Sequence, residues 1–250
     1  LQPAPDGLQQ LIRHWRGPRP LRVCSGGTTS RAAVDGDWTL DLREHFKQIH
    51  WDEADQSVLI EAGCRIGDVL TALLPHGRSI AAGLSGRPGL GYVLTGGMSP
   101  LSRQVGLAVD QLQEIQGVWG SGEPFRLTRA EHVGSADWRG LCGAAPFLAV
   151  VERVRLTTQP LLPLWIETSV GRPEQLPDWM EEAEQFDPGT CLQWHWDGSG
   201  SVQRLLVSSR QGGGRQRIDG LHQLPPLAAP LASSQRLHGE VMGRLGPAAA

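Results

Sequence analysis

The stretch 25-SGGTTSR-31 decides the fold assignment, because it follows the apolar run 21-LRVC-24 directly. Paired glycines allow backbone conformations with positive φ and let a ligand touch the main chain. Successive backbone N–H groups in such a loop can form a concave site for an anion. The Ser and Thr hydroxyls add uncharged hydrogen-bond donors. The sequence therefore predicts an anion-binding loop at the end of a buried strand.

A second stretch, 95-TGGMSPLSR-103, has the same chemistry: a glycine pair among hydroxyl residues, closed by an arginine. Arg31 or Arg103 could add a charge-assisted contact to an anion. Either loop alone is explained well enough as a simple turn, but two matching loops favour one shared ligand such as a diphosphate. The common dinucleotide fingerprint is absent, because 89-GLGYVL-94 has Leu where the third glycine belongs.

Composition limits the classes of partner and compartment. The 250 residues suffice for one large domain or one domain with a smaller lobe. A net charge of -3 gives no basic field for nucleic acid or an anionic membrane. The four cysteines are far apart and lack metal-ligand spacing, so we expect reduced thiols, no metal site and a cytoplasmic location. We find no membrane-spanning run and no signal-peptide pattern, and a chain that begins at Leu1 suggests a processed or partial product.

Apolar periodicity predicts the order of helices and strands. The predicted helices are 5–16, 66–74, 173–186 and 235–245. The predicted strands are 21–24, 38–42, 57–63, 112–119, 124–128, 148–157, 164–170, 190–196 and 202–209, with 120-GSGE-123 as a hairpin turn. Residues 211–234 are predicted to be irregular. The strand–helix–strand–strand order after the 158–163 linker indicates a small α+β lobe.

Taken in order, these segments resemble the flavin-binding domain of the vanillyl-alcohol oxidase and p-cresol methylhydroxylase superfamily, the FAD-linked oxidases. The resemblance covers roughly residues 1–158, and no single segment of it is specific. It rests on 21-LRVCSGGTTS-30, 39-TLDL-42, 57-SVLIEAGCRIGDVLTALLPHG-77, 95-TGGMSPLSRQVGLAVDQL-112, 120-GSGE-123 and 137-DWRGLCGAAPFLAVVERVRL-156.

The resemblance implies an α+β fold in two parts. Residues 1–158 would form a two-subdomain FAD-binding domain of the p-cresol methylhydroxylase type. Residues 159–250 would form a short α+β substrate or cap lobe, which is smaller than the family's usual substrate domain and therefore either shortened or truncated.

The resemblance also implies which residues hold FAD. The first loop would cradle the pyrophosphate, and the second glycine-rich passage would lie along its other side and near the flavin ring. Asp110 would brace that passage, Gly143 would approach the cofactor closely, and Val151 would offer its backbone to a ring of FAD, which we take to be the adenine. The residues assigned in this way are Ser25, Gly26, Gly27, Thr28, Thr29, Ser30, Pro88, Gly89, Thr95, Gly96, Gly97, Ser99, Ser102, Gly106, Asp110, Gly143 and Val151.

Several positions depart from the family pattern. Thr28 stands where many members attach FAD through a histidine, and residues 83–97 contain no cysteine for a second covalent link. We therefore expect FAD to be held non-covalently. Met98, Ala144 and Ala149 stand where glycines are common, and each adds bulk next to the expected cofactor site.

His195, the centre of a QWHWD run, is the candidate catalytic base. Oxidation by a flavin needs a group that takes a proton from the substrate, while the cofactor accepts the hydride. On a strand, His195 would share a face with Gln193 and Asp197, and Asp197 could orient the imidazole ring. Trp194 and Trp196 would point the other way. For this run alone, a surface histidine next to a buried tryptophan pair is a better explanation than a catalytic base.

The sequence therefore predicts an FAD-dependent oxidoreductase that acts on an alcohol, a hydroxy acid or a sugar by hydride transfer to flavin N5. Oxygen or another carrier would accept the electrons. One alternative is a catalytically degenerate flavin fold that serves as a binding or assembly subunit, which the bulkier residues and the short lobe favour. A further alternative is reduction of a bound substrate by a nicotinamide donor.

Overall fold

The structure, a computed structural model, describes residues 1–28, 34–83, 86–196 and 200–224. Within these ranges the fold is built on a five-stranded sheet and a four-stranded sheet, together with two strand pairs. Helices pack against both larger sheets. The mixture of helices and largely antiparallel sheets confirms the predicted α+β class.

The described part of the chain contains seven α-helices. The first begins with a proline in its first turn, where proline is common, and it buries Leu8 and Ile12 on one face. The next three helices are short and precede the hairpin formed by residues 112–128. The fifth helix follows that hairpin directly. The helices are α1 (Pro5–His14), α2 (Ile66–Leu73), α3 (Leu90–Leu94), α4 (Ser102–Val105), α5 (Arg129–His132), α6 (Ala136–Leu148) and α7 (Leu176–Glu184).

The same ranges contain thirteen strands. They are β1 (Arg22–Cys24), β2 (Thr39–Asp41), β3 (Ile49–Asp52), β4 (Ser57–Glu61), β5 (Arg78–Ser79), β6 (Leu112–Trp119), β7 (Pro124–Thr128), β8 (Ala149–Thr157), β9 (Gln159–Pro160), β10 (Leu164–Gly171), β11 (Thr190–Trp196), β12 (Val202–Ser208) and β13 (Gln216–Ile218). The larger sheet has the order β3-β4-β8-β6-β7 and the smaller one β11-β12-β10-β13. β1 pairs with β2 in parallel, and β5 pairs with β9.

The sequence pattern located most of these elements but not all. It missed β3, which is short and carries only two apolar residues, and the two-residue strands β5 and β9. It also missed the short helices α3, α4 and α5, and the longer helix α6. That helix is interrupted at Cys142 and Gly143 and contains Pro146, so its local signal is poor. The prediction that 211–234 is irregular was wrong for β13, a three-residue strand at the sheet edge. The helix expected at 235–245 lies outside the described residues.

The buried side chains form one cluster that extends from the first part of the chain into the second lobe. Leu40, Phe46 and Leu112 are fully buried in the first part. Leu164 and Val207 join the same cluster from the second lobe. The division at residue 158 stays a prediction, since β9 lies just after it and still pairs with a strand of the first part.

Arg103 links the second glycine-rich passage to the second lobe. Its Nη1 donates to the carbonyl oxygens of Ala183 at 3.3 Å and Thr190 at 3.1 Å. Its Nη2 donates to the carbonyl oxygen of Phe186 at 2.8 Å. The guanidinium expected to assist an anion is therefore engaged in holding the lobe in place.

All four cysteines are free thiols, and two of them, Cys24 and Cys64, are buried. Within the described ranges, no helix has both the length and the apolar character needed to cross a bilayer.

Replacement of Phe46 by Ala should lower the free energy of unfolding by about 3–5 kcal/mol, because it empties a fully buried site. Phe147 is the matched control, since its side chain is 78% exposed. Phe147→Ala should change the free energy by no more than about 0.5 kcal/mol. Urea denaturation of both variants measures the difference, and equal losses would contradict the assignment of Phe46 to the core.

Candidate functional site

A groove of about 300 Å³, counted with the solvent at its mouth, lies where the three predicted cofactor segments meet. The first loop contributes Ser25, and the second passage contributes Leu90 and Gly91 from α3. The third segment contributes Ala149 and Val151 from the start of β8. The remaining lining residues are Leu42, Ala62, Leu94, Ala145 and Pro146. The structure thus brings together segments that lie far apart in the sequence, around a mostly apolar groove.

The first loop and the second passage touch backbone to backbone. A Cβ built on Gly26 would lie 2.7 Å from the Cα of Gly89, and one built on Gly89 would lie 2.6 Å from the Cα of Gly26. Only glycine at both positions permits this approach. Ser25 Oγ donates to the carbonyl oxygen of Ala62 at 2.5 Å, which fixes the first loop over the end of β4.

The first loop keeps hydrogen-bond donors for a ligand. The backbone N–H groups of Gly26 and Thr28 donate to no acceptor among the described residues. Gly27 has a φ of 67°, in the region that glycine tolerates best. Unpaired N–H groups on such a turn form the kind of concavity that binds an anion. The expected contacts of Thr29 and Ser30 lie outside the described residues and stay predictions.

In the second passage, the glycine pair folds back on the turn that follows α4. The N–H of Val109 donates to the carbonyl oxygen of Gly96 at 3.0 Å, and the N–H of Ala108 donates to that of Gly97 at 2.9 Å. Both glycines have positive φ, 127° and 71°. A Cβ on Gly97 would lie 2.6 Å from that of Ala108, whereas one on Gly96 would meet nothing within 4 Å. Gly96 therefore borders open space.

The polar side chains of this passage mainly stabilise its own turns. Ser99 is buried, and its N–H donates to Ser102 Oγ at 2.9 Å. The Asp110 carboxylate accepts from the N–H of Leu107 at 2.8 Å and lies beside Gly106, whose φ is 82°. Asp110 thus stabilises the turn at Gly106 and Leu107, and its expected place at a cofactor site stays a prediction.

Two further predicted residues of the passage are also engaged locally. The Pro88 carbonyl oxygen accepts from the N–H of Ile66 at 2.9 Å, which attaches the passage to the start of α2. Thr95 Oγ1 donates to the carbonyl oxygen of Gly91 at 2.9 Å, one turn back. The Pro88 carbonyl oxygen and Thr95 Oγ1 are therefore used in bonds within the protein. Any contact of these two residues with a ligand would have to use their other atoms.

The third segment approaches the groove from the far side. α6 is interrupted at Gly143, whose φ of 147° and ψ of −36° are not helical. A Cβ at Gly143 would meet nothing within 4 Å, so this residue borders open space as Gly96 does. The methyl group of Ala149, one of the departures from the family pattern, lies in the groove wall.

Sequence reasoning missed Arg43, which lies against the first loop. Its Nε and Nη2 donate to the Asp41 carboxylate at 2.8 and 2.7 Å. These hydrogen bonds hold the pKa of Asp41 below its usual value. Burial raises the pKa of the nearby Cys24 thiol, so this thiol stays neutral. An Asp-Leu-Arg run directly after a strand was the available signal.

His195 lies on the edge strand β11 and is not among the residues that line the groove. Its register partner is Gln203, which in turn pairs with Val170, so these side chains share one face. Further along the same face, Ile166 and Val207 belong to the core cluster. This face packs on the first part of the chain at Ile166 and Val207. Val170, in the same row as Gln203 and His195, is 71% exposed, so the face is not closely packed at the end that carries His195.

Trp194 and Trp196 lie on the opposite face, as expected, but they are 42% and 50% exposed and are not a core pair. Trp194 pairs with Arg204, whose guanidinium lies over the Trp179 ring of α7. Asp197, the residue expected to orient His195, lies outside the described residues. The alternative based on a buried tryptophan pair was wrong.

The described residues of the site suit two parts of an FAD molecule, its diphosphate and one planar ring. Unpaired N–H groups at Gly26 and Thr28 suit a diphosphate, and the open space at Gly96 and Gly143 leaves room beside the backbone. The apolar groove suits a planar ring. Only about 40 Å³ of the groove is space that the centre of a water-sized sphere can occupy, so it is a shallow depression at the place where one end of a dinucleotide would lie.

Comparison with known proteins agrees with this geometry. Residues 6–128 match the model of a family described as an FAD binding domain. FAD-linked oxidoreductase pytB of Aspergillus terreus is 27% identical over 207 residues, which are 74% of this chain and 25% of that protein. FAD-linked oxidoreductase janO of Penicillium janthinellum is 31% identical over 145 residues, 57% of this chain and 32% of that protein.

The fold also matches solved structures. 6-Hydroxy-D-nicotine oxidase from Arthrobacter nicotinovorans superposes with a TM-score of 0.69 at 20% identity, over 84% of this chain and 52% of that one. Likeness at this level establishes the p-cresol methylhydroxylase-type fold. The chain spans about half the length of this oxidase and no more than a third of the two curated relatives.

Replacement of Gly26 by Ala should lower the free energy of unfolding by about 1–3 kcal/mol, because the new methyl group overlaps the backbone of Gly89. Gly7→Ala is the matched control. Gly7 lies in α1 with nothing within 4 Å of its Cβ position, so this change should stabilise the protein by at most about 1 kcal/mol. Urea midpoints of both variants test the contact, and an unchanged Gly26→Ala midpoint would rule it out.

Proposed function

Residues 6–128 belong to the FAD-binding domain family of the FAD-linked oxidoreductases, and we propose that the protein binds FAD non-covalently and oxidises a small organic substrate. The substrate class is an alcohol, a hydroxy acid or a sugar. The observation that carries the proposal is the groove at which both glycine loops and the start of β8 meet. Bound FAD supplies a ring whose N5 accepts a hydride.

The two loops and the groove divide the binding of FAD between them. The N–H groups of Gly26 and Thr28 donate to the diphosphate, which needs several donors and little side-chain bulk. The apolar groove takes the adenine ring, with Val151 and Ala149 in its wall. This arrangement uses backbone groups that the fold already holds in place, so little ordering accompanies binding.

The residues near the first loop favour a non-covalent complex. Thr28 offers no imidazole at the position where family members form a histidyl bond. Cys24 lies close to Gly27, but burial raises the pKa of its thiol and keeps it protonated. A neutral thiol is a poor nucleophile.

The proposed role of His195 is to take the substrate proton. It sits at the exposed end of a sheet face whose other end packs on the first part of the chain, and Gln203 lies beside it on the neighbouring strand. An imidazole nitrogen within hydrogen-bond reach of the substrate can accept its proton. Arg103 is bonded to β11 at Thr190. His195 is about 17 Å further along the strand, so it lies far from that bond.

A second candidate function is that of a flavin-binding subunit without catalysis. The methyl group of Ala149 in the groove wall and the short length relative to the known oxidases favour it. Such a protein would bind FAD but would not bleach its visible absorption with any alcohol, hydroxy acid or sugar. Bleaching by NADPH without substrate would instead indicate a nicotinamide-driven reductase.

The purified protein, saturated with FAD and then precipitated with acid, should release all flavin absorbance into the supernatant. Binding should also raise the melting temperature, because FAD binds the native state alone. Flavin in the pellet would contradict the non-covalent complex. An absence of binding at high FAD concentration would overturn the proposed function.

His195→Gln should lower kcat by about 10²–10⁴-fold and leave the Kd of FAD unchanged, since general-base catalysis contributes on this order. His222→Gln is the matched control, because His222 is exposed and lies in a turn away from β11. Steady-state rates with the best substrate of a panel of alcohols, hydroxy acids and sugars provide the measurement. Equal kcat values for the two variants would eliminate His195 as the base.

A further inference from the structure

We propose that Arg43 is the side-chain cation that contacts the diphosphate of FAD, an inference that rests on the proposed function. Neither the family resemblance nor the sequence pattern assigns this residue a role. Arg43 is the second residue after β2, and Leu42, between the two, lines the groove. Because Leu42 forms part of the groove wall, Arg43 lies at the edge of the proposed site.

The guanidinium of Arg43 has one nitrogen left for a ligand. Its Nε and Nη2 are paired with the two carboxylate oxygens of Asp41, at 2.8 and 2.7 Å. The backbone N–H of Arg43 also donates to Asp41, at 3.0 Å. Nη1 donates to no acceptor in the described part of the chain. A two-point ion pair of this kind fixes the plane of the guanidinium and so the direction of Nη1.

The free nitrogen is the atom that lies against the first loop. A Cβ built on Gly27 would lie 2.6 Å from Arg43 Nη1, closer than to any other atom. Gly27 stands between Gly26 and Thr28, whose N–H groups are unpaired among the described residues. Two backbone donors and one guanidinium donor therefore flank the same turn. These three donors are complementary to a diphosphate, because it presents several acceptor oxygens and a double negative charge.

Arg31, the other arginine expected to assist an anion, lies outside the described residues. Three arginines of the described part of the chain are engaged elsewhere. Arg22 and Arg19 both pair with Asp37, at 2.5 and 3.2 Å. Arg103 holds the second lobe. The Arg43 side chain is 43% exposed, so an incoming ligand can reach it without opening the core.

The test is the Kd of FAD for Arg43→Gln, measured through the change in flavin fluorescence. We expect the Kd to rise about tenfold or more, as for the loss of a hydrogen bond to a charged group. The Kd of the wild-type protein should rise with salt, and that of Arg43→Gln should rise less, because one charge contact is gone. Arg126→Gln is the matched control, since Arg126 also pairs with a carboxylate, that of Glu114, on the five-stranded sheet.

The outcomes separate this inference from the proposed function. A wild-type protein that does not bind FAD overturns both. A wild-type protein that binds, with an unchanged Kd or an unchanged salt dependence in Arg43→Gln, overturns the role of Arg43 alone. An equal loss in Arg126→Gln also overturns it, because the effect would then be one of net charge. Circular dichroism checks the fold, and Arg43→Met takes the place of Arg43→Gln if the latter does not fold.

Discussion

The backbone contact between Gly26 and Gly89 is the constraint on which the rest of the site depends. Two loops more than 60 residues apart in sequence approach so closely that neither can carry a side chain at the contact. Gly89 also forms a bridge with Arg65, which attaches the contact to the start of α2. The two loops meet through backbone contact, and the N–H groups of Gly26 and Thr28 donate to no acceptor among the described residues. This arrangement supports the proposal that the loops bind an anion.

The rest of the molecule keeps this contact in place. Ser25 is held to the end of β4 through Ala62, and Asp110 braces the second passage. Arg103 connects that passage to the second lobe, and one continuous core lies beneath both parts. The charged residues near the site therefore have divided roles. Arg103 is structural, whereas Arg43 is fixed by Asp41 and its Nη1 donates to no acceptor in the described part of the chain.

The longer strands and the loop order could be predicted from the sequence, because apolar runs and glycine pairs are local signals, whereas the short strands β3, β5, β9 and β13 were missed. Other features depend on contacts that no local pattern reveals. α6 was missed since its glycine and proline weaken the helical signal, although the groove wall depends on it. The role of Arg103 could not be foreseen, because its acceptors are carbonyl groups of another lobe. The exposure of Trp194 and Trp196 likewise follows from the position of β11 at a sheet edge.

Hydrogen–deuterium exchange of the protein with and without FAD tests the central claim most directly, namely that the junction of the two glycine loops is the cofactor site. We predict slower exchange with FAD in peptides that cover residues 22–28 and 95–106, where N–H groups face the proposed diphosphate site and its surroundings. Exchange in β12, which forms the middle of the smaller sheet, should stay unchanged. Protection confined to the smaller sheet, or no protection of the two loops at a saturating FAD concentration, would contradict the account.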